Sequence, residues 1–485
     1  MKPMTLDPKE AGGRALYLQI YDNIKNEILS GEAAAGEKLP SLRRLSKELG
    51  VSITTTELAY NQLLVEGYVT SRPQSGYYIA EVTSVGSTPA SPDGTAEQHG
   101  ASVIYDIRDY TLEGSPYLFD LSCFDFNKWK KCAAKVFNDY SHLLLFESDP
   151  QGESALRFEI AKYIYHSRGV SASPEQIVIG AGTQQITSHL SRILRKIGMH
   201  HVSLESPGYL PVQQQFADAG FTISHIPVGS DGIEIERLPA NIPSAVYVSP
   251  SNQFPTGAVM PVGRRYELLE WARSNQSIII EDDYDSELRY FGRPVPALQG
   301  LDSGGHVVYL GSFSSTLFPA IKISYMVLPP QLSAIFDKIK DQYTQTCSKA
   351  EQLTLAFFME DGYYYTGIKK LRNLYAQKLQ TAITAFTRYG SGGFVTPVDT
   401  RSGINLSVQV RSPKTAEELS ALAKSLHLQV IPLSQVSEPD GGSDAGRTRR
   451  TSTLIFYYNQ VPLAELDERI RQLLECGMFR TDVIQ

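Results

Sequence analysis

The stretch Tyr309-Leu-Gly-Ser-Phe-Ser-Ser-Thr-Leu-Phe-Pro-Ala-Ile-Lys-Ile-Ser-Tyr325 combines the end of an apolar strand, a loop rich in hydroxyl groups and a lysine. Backbone N–H groups and serine hydroxyls in such a loop can hold a phosphate group, and the ammonium group of the lysine supplies the countercharge. We therefore expect Ser312, Ser314 and Lys322 to bind phosphate.

Five short apolar segments, rich in β-branched residues, alternate with helical stretches up to this loop. They cover residues 176–180, 201–205, 245–249, 277–281 and 307–311. Short buried strands separated by helices indicate an α/β fold, with a mainly parallel sheet covered on both faces. Ligands bind such sheets at the carboxyl ends of the strands, so we expect the site in the loops that follow these segments.

These loops offer, in chain order, a helix start, an aromatic ring, an amide, a carboxylate and a phenol. The residues are Gly182 with Thr183, Tyr209, Asn252, Asp282 and Tyr284. A phosphorylated pyridine ring needs such a set. The helix start holds the phosphate, the carboxylate keeps the ring nitrogen protonated, the phenol and the amide bond the ring oxygen, and the aromatic side chain stacks on the ring.

The beginning of the chain predicts a separate helical module. The spacing of apolar residues indicates helices over 17–30, 39–50 and 52–64, with Ser41 as a helix cap. Residues 68–79 have the pattern of a two-stranded hairpin with a polar tip. This order of a helix, a turn, a second helix and a hairpin is the layout of a winged helix-turn-helix, which binds DNA.

The chain is long enough for two or three domains, because its 485 residues exceed one ordinary domain. We assign residues 1–82 to the winged helix-turn-helix. Residues 83–105 are poor in large apolar side chains and rich in Gly, Pro, Ser and Thr, which predicts a flexible linker. The remainder is assigned as residues 106–485, with a large part over about 150–350 and a smaller α+β part over about 351–485 together with 106–149.

Short motifs in the first module resemble the GntR class of bacterial regulators. They are Leu39-Pro-Ser41 with Arg43, Gly50-Val-Ser52 with Thr54 and Thr55, Glu66-Gly-Tyr68, and the segment from Arg72 to Gly76. The resemblance implies that Thr54 and Thr55 begin the recognition helix and that Arg43 reaches a DNA phosphate. It also implies that Ser41 belongs to the DNA-binding set.

The same resemblance implies a wing formed by Arg72, Ser75 and Gly76 that approaches the minor groove. One position departs from the family, since Ile53 stands where an arginine is usual. An apolar side chain can touch a thymine methyl group but cannot bond guanine. The alternative to DNA binding is a small winged module used for protein contacts or dimerisation.

The larger body resembles the fold-type-I aminotransferases, which use pyridoxal phosphate (PLP), and the whole chain resembles the MocR/GabR subfamily of GntR regulators. Besides the loops above, the segment Ser148-Asp-Pro-Gln-Gly152 with Leu156-Arg157 matches the family. The resemblance assigns the ring-binding and phosphate-binding roles to the residues already named for them. It also implies a head-to-tail homodimer in which each DNA module rests on the partner's larger body.

Ser315 breaks the aminotransferase pattern. The family has a lysine after the Ser-Phe-Ser triplet, and that lysine forms a Schiff base with PLP, whereas Ser315 has no primary amine. We therefore expect transamination to be very slow or absent, and we assign no catalytic residue. Lys322 stands where relatives usually have a phosphate-binding arginine. Near the C-terminus, relatives have a segment whose arginine, when present, binds a substrate carboxylate. This chain has Phe456-Tyr-Tyr-Asn-Gln460 there, with Asn459 or Gln460 near the arginine position. We expect its tyrosines to narrow the pocket.

Composition narrows the class of protein further. A net charge of −7 argues against nonspecific polyanion binding over the whole surface but allows a local DNA-binding face. The 4 cysteines are scattered without a Cys-x-x-Cys pair, which indicates reduced thiols and no metal site. No apolar run is long enough to span a bilayer and the N-terminus has no export leader, so we expect a cytoplasmic protein.

Together these patterns predict a homodimeric, sequence-specific DNA-binding transcriptional regulator with an aminotransferase-like domain that senses a ligand. The ligand is PLP, or a small amine or amino acid, and PLP itself is either held noncovalently or lost. Two alternatives remain open. One is an active PLP-dependent aminotransferase with an accessory DNA-binding module, and the other is a cofactor-free dimeric DNA-binding protein whose larger body is only a scaffold.

Overall fold

The computed structural model describes residues 15–72, 75–81, 120–283, 285–290, 295–390, 394–398, 403–437 and 450–475. Contacts along the chain divide it into two compact units, Met1–Tyr105 and Asp106–Gln485. The expected linker over residues 83–105 lies outside the described residues.

The smaller unit is a winged helix-turn-helix. Its elements are α1 (Leu16–Leu29), α2 (Leu42–Leu49), α3 (Ile53–Val65), β1 (Val69–Arg72) and β2 (Gly76–Ile79). The Ser41 hydroxyl accepts the N–H of Arg44 and caps α2. The Ser52 hydroxyl caps α3 in the same way, by accepting the N–H of Thr55. Gly50 ends α2 in the left-handed region, with φ of 67°.

One apolar core holds this unit together. Ile20 and Ile24 of α1 pack with Tyr60 and Leu63 of α3 and with Val69 of β1, and all five are almost fully buried. β1 and β2 form an antiparallel pair. The predicted winged helix-turn-helix is confirmed.

The larger unit combines a large mixed sheet and a smaller sheet with flanking helices. The first part contains α4 (Phe126–Asp139), α5 (Ser154–Arg168), β3 (Ile177–Ala181), α6 (Thr183–Lys196), β4 (His201–Ser206), α7 (Pro211–Asp218), β5 (Thr222–Gly229), β6 (Gly232–Ile233), β7 (Ala245–Val248), α8 (Val262–Ser274), β8 (Ile278–Asp282), β9 (Val307–Ser312), β10 (Ile323–Val327), α9 (Pro330–Asp337) and α10 (Lys349–Glu360). The second part contains α11 (Tyr363–Tyr389), β11 (Val395–Val398), β12 (Leu406–Ser412), α12 (Ala416–Ser425), β13 (Val430–Pro432), β14 (Arg450–Phe456) and α13 (Leu463–Leu473).

The large sheet has the strand order β3-β10-β9-β8-β7-β4-β5-β6. Strands β9, β8, β7, β4 and β5 run parallel, whereas β10 is antiparallel to both of its neighbours. The carboxyl ends of β3, β4, β7, β8 and β9 therefore meet at one edge. The predicted mainly parallel sheet is confirmed, although β5, β6 and β10 were not predicted.

Helices cover both faces of the large sheet. On β3, Ile177 and Ile179 pack into one core with Leu156 of α5, while Val178 between them packs into another core with Ile186 of α6. Because successive strand residues point to opposite faces, both faces need apolar side chains. This explains why the strand segments are continuously apolar and do not alternate with polar residues.

The smaller sheet has the order β11-β12-β14-β13, and all its pairs are antiparallel. Helices α11, α12 and α13 contribute Leu379, Leu419 and Ile470 to its core. The expected α+β part is therefore present. Its boundary near residue 351 stays a prediction. Phe358 of α10 and Cys132 of α4 are buried in one core with Ile177 of β3.

No helix in the described ranges is long and apolar enough to cross a bilayer. Across the same ranges, His, Cys, Asp and Glu side chains nowhere gather in a group of three or more that could hold a metal ion.

Candidate functional site

A cavity of about 240 Å³ is lined by loops that follow β3, β4, β7, β8 and β9. Its lining includes these residues named from the sequence: Gly182, Thr183, Tyr209, Asp282, Ser312, Ser314, Ser315 and Lys322. The remaining lining residues are Ser249, Phe254, Asp283, Asp285 and Tyr457. The fold therefore brings most of the predicted ring-and-phosphate set to one cavity.

One group of lining residues is suited to an anion. Gly182 caps α6 with φ of 88°, which a side chain would strain, and the first N–H groups of the helix point out of its N-terminus. The helix dipole adds partial positive charge at that end. The hydroxyl of Ser324 donates to the Ser312 hydroxyl at 2.9 Å, and the Ser314 N–H lies 3.4 Å from the same oxygen. Lys322 adds a full positive charge to the lining.

Asp282 supplies a carboxylate at the end of β8. The hydroxyl of Tyr247, on the neighbouring strand β7, donates to Asp282 Oδ2 at 2.5 Å. Burial raises the pKa of Asp282 to about 6, and the nearby carboxylates of Asp283 and Asp285 push in the same direction, while the Tyr247 hydrogen bond opposes them. The carboxylate is therefore ionised at neutral pH at an energetic penalty, which a cationic partner would relieve.

A buried ion pair holds the loop that follows Asp282. Arg168, at the end of α5, donates to Asp283 through Nε at 2.7 Å and through Nη2 at 2.9 Å. The two side chains are only 4% and 1% exposed. The hydroxyls of Tyr309 and Ser286 also donate to Asp283, at 2.5 Å and 2.8 Å. Such a fully hydrogen-bonded pair fixes the backbone beside Asp282, and with it the direction of the Asp282 side chain.

Aromatic side chains form part of the cavity wall. Tyr209 follows β4 and is 40% exposed, so its ring is available to a ligand. Tyr457 lines the cavity from the smaller part of the unit, and burial raises its pKa to about 12. Both phenols therefore stay neutral at physiological pH.

A second carboxyl group, Glu205, is buried at the end of β4. Its Oε2 accepts the N–H of Ser249 at 3.2 Å and the amide of Gln253 at 3.3 Å, while Oε1 has no hydrogen-bond partner. Burial raises the pKa of Glu205 to about 8. This carboxyl group is therefore mostly neutral at pH 7, and the charge it would otherwise bring close to Asp282 is absent.

Ser315 is half-buried and lines the same cavity. A hydroxyl group donates and accepts hydrogen bonds, but it cannot form a Schiff base. Among the described lining residues, Lys322 carries the one primary amine, and it lies at a left-handed turn with φ of 48° just before β10. The described lining thus provides groups that can bind a ligand, and its one lysine, Lys322, lies seven residues after Ser315.

Two predicted ring-binding residues are not seen in the lining. Asn252 is buried, and its amide nitrogen would lie 3.2 Å from a Cβ at Gly403, but the described cavity lining does not include it. Tyr284 lies outside the described residues. Their proposed bonds to a ring oxygen therefore remain predictions.

The C-terminal segment contributes differently from what the sequence suggested. The side chain of Lys378 donates to the backbone oxygen of Asn459 at 2.7 Å, and the Gln460 amide donates to Gln429 at 2.5 Å. Neither Asn459 nor Gln460 is part of the described cavity lining. Tyr457 occupies the wall, as expected from bulky tyrosines in this segment.

In the smaller unit, the predicted DNA-binding residues divide into two groups. Arg43 and Thr54 are exposed to solvent. Ser41 caps α2, and the Thr55 hydroxyl lies 2.8 Å from that of Ser52. The local contacts of Ser41 and Thr55 hold the helix starts in place, whereas Arg43 and Thr54 are available to a partner.

The wing residues are arranged around one ring. The guanidinium of Arg72 lies 4.3 Å from the ring centre of Tyr78, and the hydroxyls of Ser75 and Tyr78 are 2.6 Å apart. Lys38 approaches the same ring at 5.7 Å. Gly76 has φ of 109°, a conformation that favours glycine. The Tyr78 ring of the wing therefore has two cations beside it, Arg72 of β1 and Lys38 of the segment before α2.

Sequence reasoning missed several residues that shape the site. Tyr247 looked like one more apolar residue of a buried strand, and nothing in its segment indicates that its hydroxyl meets Asp282. The pair of Arg168 with Asp283 was also missed, although the acidic run at residues 281–283 signals that a buried cation is needed nearby.

Comparison with known proteins agrees with both units. Residues 16–79 match the family described as "Bacterial regulatory proteins, gntR family", and residues 115–449 match "Aminotransferase class I and II". The chain is 38% identical to the uncharacterised regulator YdeL of Bacillus subtilis, over 86% of this chain and 89% of that protein. It is 33% identical to the probable rhizopine catabolism regulatory protein MocR of Rhizobium meliloti, over 89% of this chain and 90% of that protein.

A solved structure resembles the larger unit. The kynurenine aminotransferase of Pyrococcus horikoshii aligns with a TM-score of 0.63 and 23% identity, over 75% of this chain and 91% of that chain. At this identity the likeness concerns the fold. A winged helix-turn-helix joined to an aminotransferase fold defines a class of DNA-binding transcriptional regulators. The chain belongs to the MocR/GabR subfamily of GntR-type regulators within that class.

Proposed function

We propose that this regulator acts in the cytoplasm as a homodimer whose larger unit binds PLP, or a related amine or amino-acid ligand, without a covalent bond. One observation carries the proposal. Asp282 and Ser315 line the same cavity as the proposed phosphate-binding residues, called the phosphate set below: Gly182, Thr183, Ser312, Ser314 and Lys322. The binding groups for a phosphorylated pyridine are present, whereas the Schiff-base lysine is absent. Ligand binding, and not amino-group transfer, is then the task of this domain.

The residues of the cavity fit such a ligand. The open space over Gly182 leaves the N-terminus of α6 accessible to a phosphate group, and Ser312, Ser314 and Lys322 add donors and charge. The raised pKa of Asp282 marks a carboxylate that gains from a protonated ring nitrogen. These features are complementary to the two charged ends of PLP.

Each group has a separate task in this proposal. The phosphate set binds and orients the ligand, Asp282 holds the proton on the ring nitrogen, and Tyr209 stacks on the ring. PLP, when bound, supplies an electron-withdrawing ring. Amino-group transfer also needs a primary amine that moves a proton, and the Ser315 hydroxyl cannot take that role.

Ligand binding would control DNA binding through the arrangement of the two parts of the larger unit. A ligand shifts an equilibrium between arrangements only when it binds one of them better. The wall residue Tyr457 comes from the smaller part of the larger unit, while Asp282 and the phosphate set come from its large part. A ligand that contacts both parts favours the arrangement in which they are close.

The test is an absorbance titration of the full-length protein with PLP, followed by borohydride reduction and mass analysis of peptides. We expect a saturable spectral change and no reduced adduct on any lysine. The Lys322→Ala variant should lose about tenfold or more in affinity, because a charge-assisted hydrogen bond contributes about 1.5–3 kcal/mol. Lys338→Ala is the matched control, since Lys338 is exposed at the end of α9.

The outcomes separate the alternatives. A reduced adduct together with amino-group transfer would support an active aminotransferase. No response to PLP, and no heat of binding for amines or amino acids in calorimetric titrations, would support a cofactor-free scaffold. A saturable response that changes affinity for DNA supports the proposal.

A further inference from the structure

The exposed face of α3 is unusual for a DNA-recognition helix. Ile53, Thr54, Glu57, Leu58 and Asn61 are exposed along it, with Ile53 at 48% and Leu58 at 50%. The opposite face carries the buried core residues of the helix. The whole helix contains no Lys, Arg or His, so this surface combines aliphatic side chains, neutral polar groups and one carboxylate.

The positive charges of the smaller unit lie on other elements. Arg43 and Lys47 are exposed on α2, and Arg72 lies in the wing. Phosphate contacts from such flanking cations fix the position of a protein on DNA, while base edges carry the sequence information. The phosphate and base functions are thus separated between elements, and α3 is left to contact the bases.

The chemistry of Ile53 and Glu57 restricts which bases these two side chains can recognise. An aliphatic side chain gains from contact with the thymine methyl group, and a carboxylate accepts a hydrogen bond from the amino group of cytosine. Guanine presents only acceptors in the major groove, so neither Ile53 nor the carboxylate of Glu57 can bond it. Both side chains therefore select against guanine on the contacted strand.

Helix geometry places these two side chains together. Ile53 is the first residue of α3 and Glu57 follows one turn later, on the same face. Four residues rise about 6 Å along a helix, and successive base pairs are about 3.4 Å apart. The two side chains can therefore reach neighbouring or next-neighbouring base pairs.

We propose that α3 identifies its operator through a thymine methyl group bound by Ile53 and a cytosine amino group bound by Glu57, with no guanine contact from either of these two side chains. The inference rests on DNA binding by the smaller unit and goes beyond it by naming the bases and the residues that select them. Ile53 and Glu57 are then specificity-determining residues.

The experiment begins with selection of binding sites from a random duplex library by the full-length protein. Each thymine of the selected site is then replaced by deoxyuridine, which removes only the methyl group. For the unmodified protein we expect one position per half-site at which replacing thymine lowers the affinity about fourfold. This is the loss expected when one buried methyl group is removed from the interface. The Ile53→Ala variant should bind the thymine and uracil duplexes equally.

Two further variants complete the design. Val65→Ala is the matched control, because Val65 is an aliphatic residue of α3 that is 86% exposed at its far end, and this variant should keep the penalty for uracil. Glu57→Gln should shift the preferred base at one position from cytosine to adenine, since glutamine pairs with adenine. Circular dichroism of each variant checks that the exposed substitutions leave the fold intact.

The results distinguish the inference from the proposal on which it rests. If no duplex is enriched, DNA recognition itself is refuted. If a site is enriched but uracil has no effect at any position, or Ile53→Ala retains the penalty, the role of Ile53 is refuted while DNA binding stands. If Glu57→Gln leaves every base preference unchanged, the role of Glu57 is refuted.

Discussion

Replacing Asp282 with asparagine should stabilise the free protein and weaken its ligand binding at the same time. The carboxyl group has an ordinary pKa of 3.8, which burial raises to about 6 in the folded chain. A folded-state pKa above the unfolded value means that folding favours the protonated form. The resulting stability is present below pH 4 and is lost as the pH rises through 6, so the ionised carboxylate destabilises the fold at neutral pH.

The size of the effect follows from this shift. The change from 3.8 to about 6 corresponds to roughly 3 kcal/mol, fully expressed above pH 6. Asparagine is neutral at every pH and keeps an oxygen that can accept the Tyr247 hydrogen bond. The Asp282→Asn variant should therefore gain up to about 3 kcal/mol in the free energy of unfolding at pH 8 and about half as much at pH 5.

The assay is urea unfolding of the full-length protein at the two pH values, followed by tryptophan fluorescence. Both tryptophans, Trp129 and Trp271, lie in the larger unit and report on its unfolding. Asp341→Asn is the control, because Asp341 is exposed and should give no gain. In parallel, affinity for PLP should fall about 10-fold to 100-fold in Asp282→Asn, as expected for a lost charge-assisted hydrogen bond.

Three results would refute this reasoning. A loss of stability, or an equal gain at pH 5 and pH 8, would show that the Asp282 carboxylate is not held at an energetic penalty. An unchanged affinity for PLP would show that Asp282 does not hold the ring nitrogen.

Three further perturbations test other parts of the molecule. With PLP, Ser315→Lys should give a borohydride-reducible adduct at residue 315, and its absence in mass spectra would contradict the placement of this position in the ligand cavity. Arg168→Met should lower the free energy of unfolding by about 3–5 kcal/mol, because Asp283 is left charged and buried, and a loss below 1 kcal/mol in urea unfolding would contradict that account. Arg43→Ala should weaken binding to all duplexes alike and reduce the slope of log affinity against log salt by about 0.9, whereas an unchanged slope in a salt titration would argue against a phosphate contact.

Short-range sequence features were sufficient to predict the smaller unit. The serine caps at residues 41 and 52 and the left-handed Gly50 act over a few residues, so their effects can be recognised without knowledge of distant contacts. The same holds for the strand-end loops of the larger unit. Gly182 and Asp282 were identified because parallel strands bring their carboxyl ends to one edge.

The details of the cavity depended on contacts between distant parts of the chain. Asp283 lies 115 residues from Arg168, and Asp282 lies 35 residues from Tyr247, yet these contacts orient the carboxylates of the site. They depend on strand order and register, which no local pattern specifies. The sequence could not predict that Asn252 lies outside the described lining for the same reason. Its loop follows β7, and the strands beside β7 are determined by the order of the whole sheet.

The sequence by itself determined the two kinds of unit, the helix caps and the strand-end loops, and its family resemblance led to the prediction that Ser315 stands at the Schiff-base lysine position. These features reside in residue types and local spacing, which each segment carries with it. Only the tertiary structure decided that Ser315 shares one cavity with Asp282 and the phosphate set, and that burial raises the pKa of Asp282 to about 6. Both depend on which segments exclude water from one another, and that is a property of the folded chain.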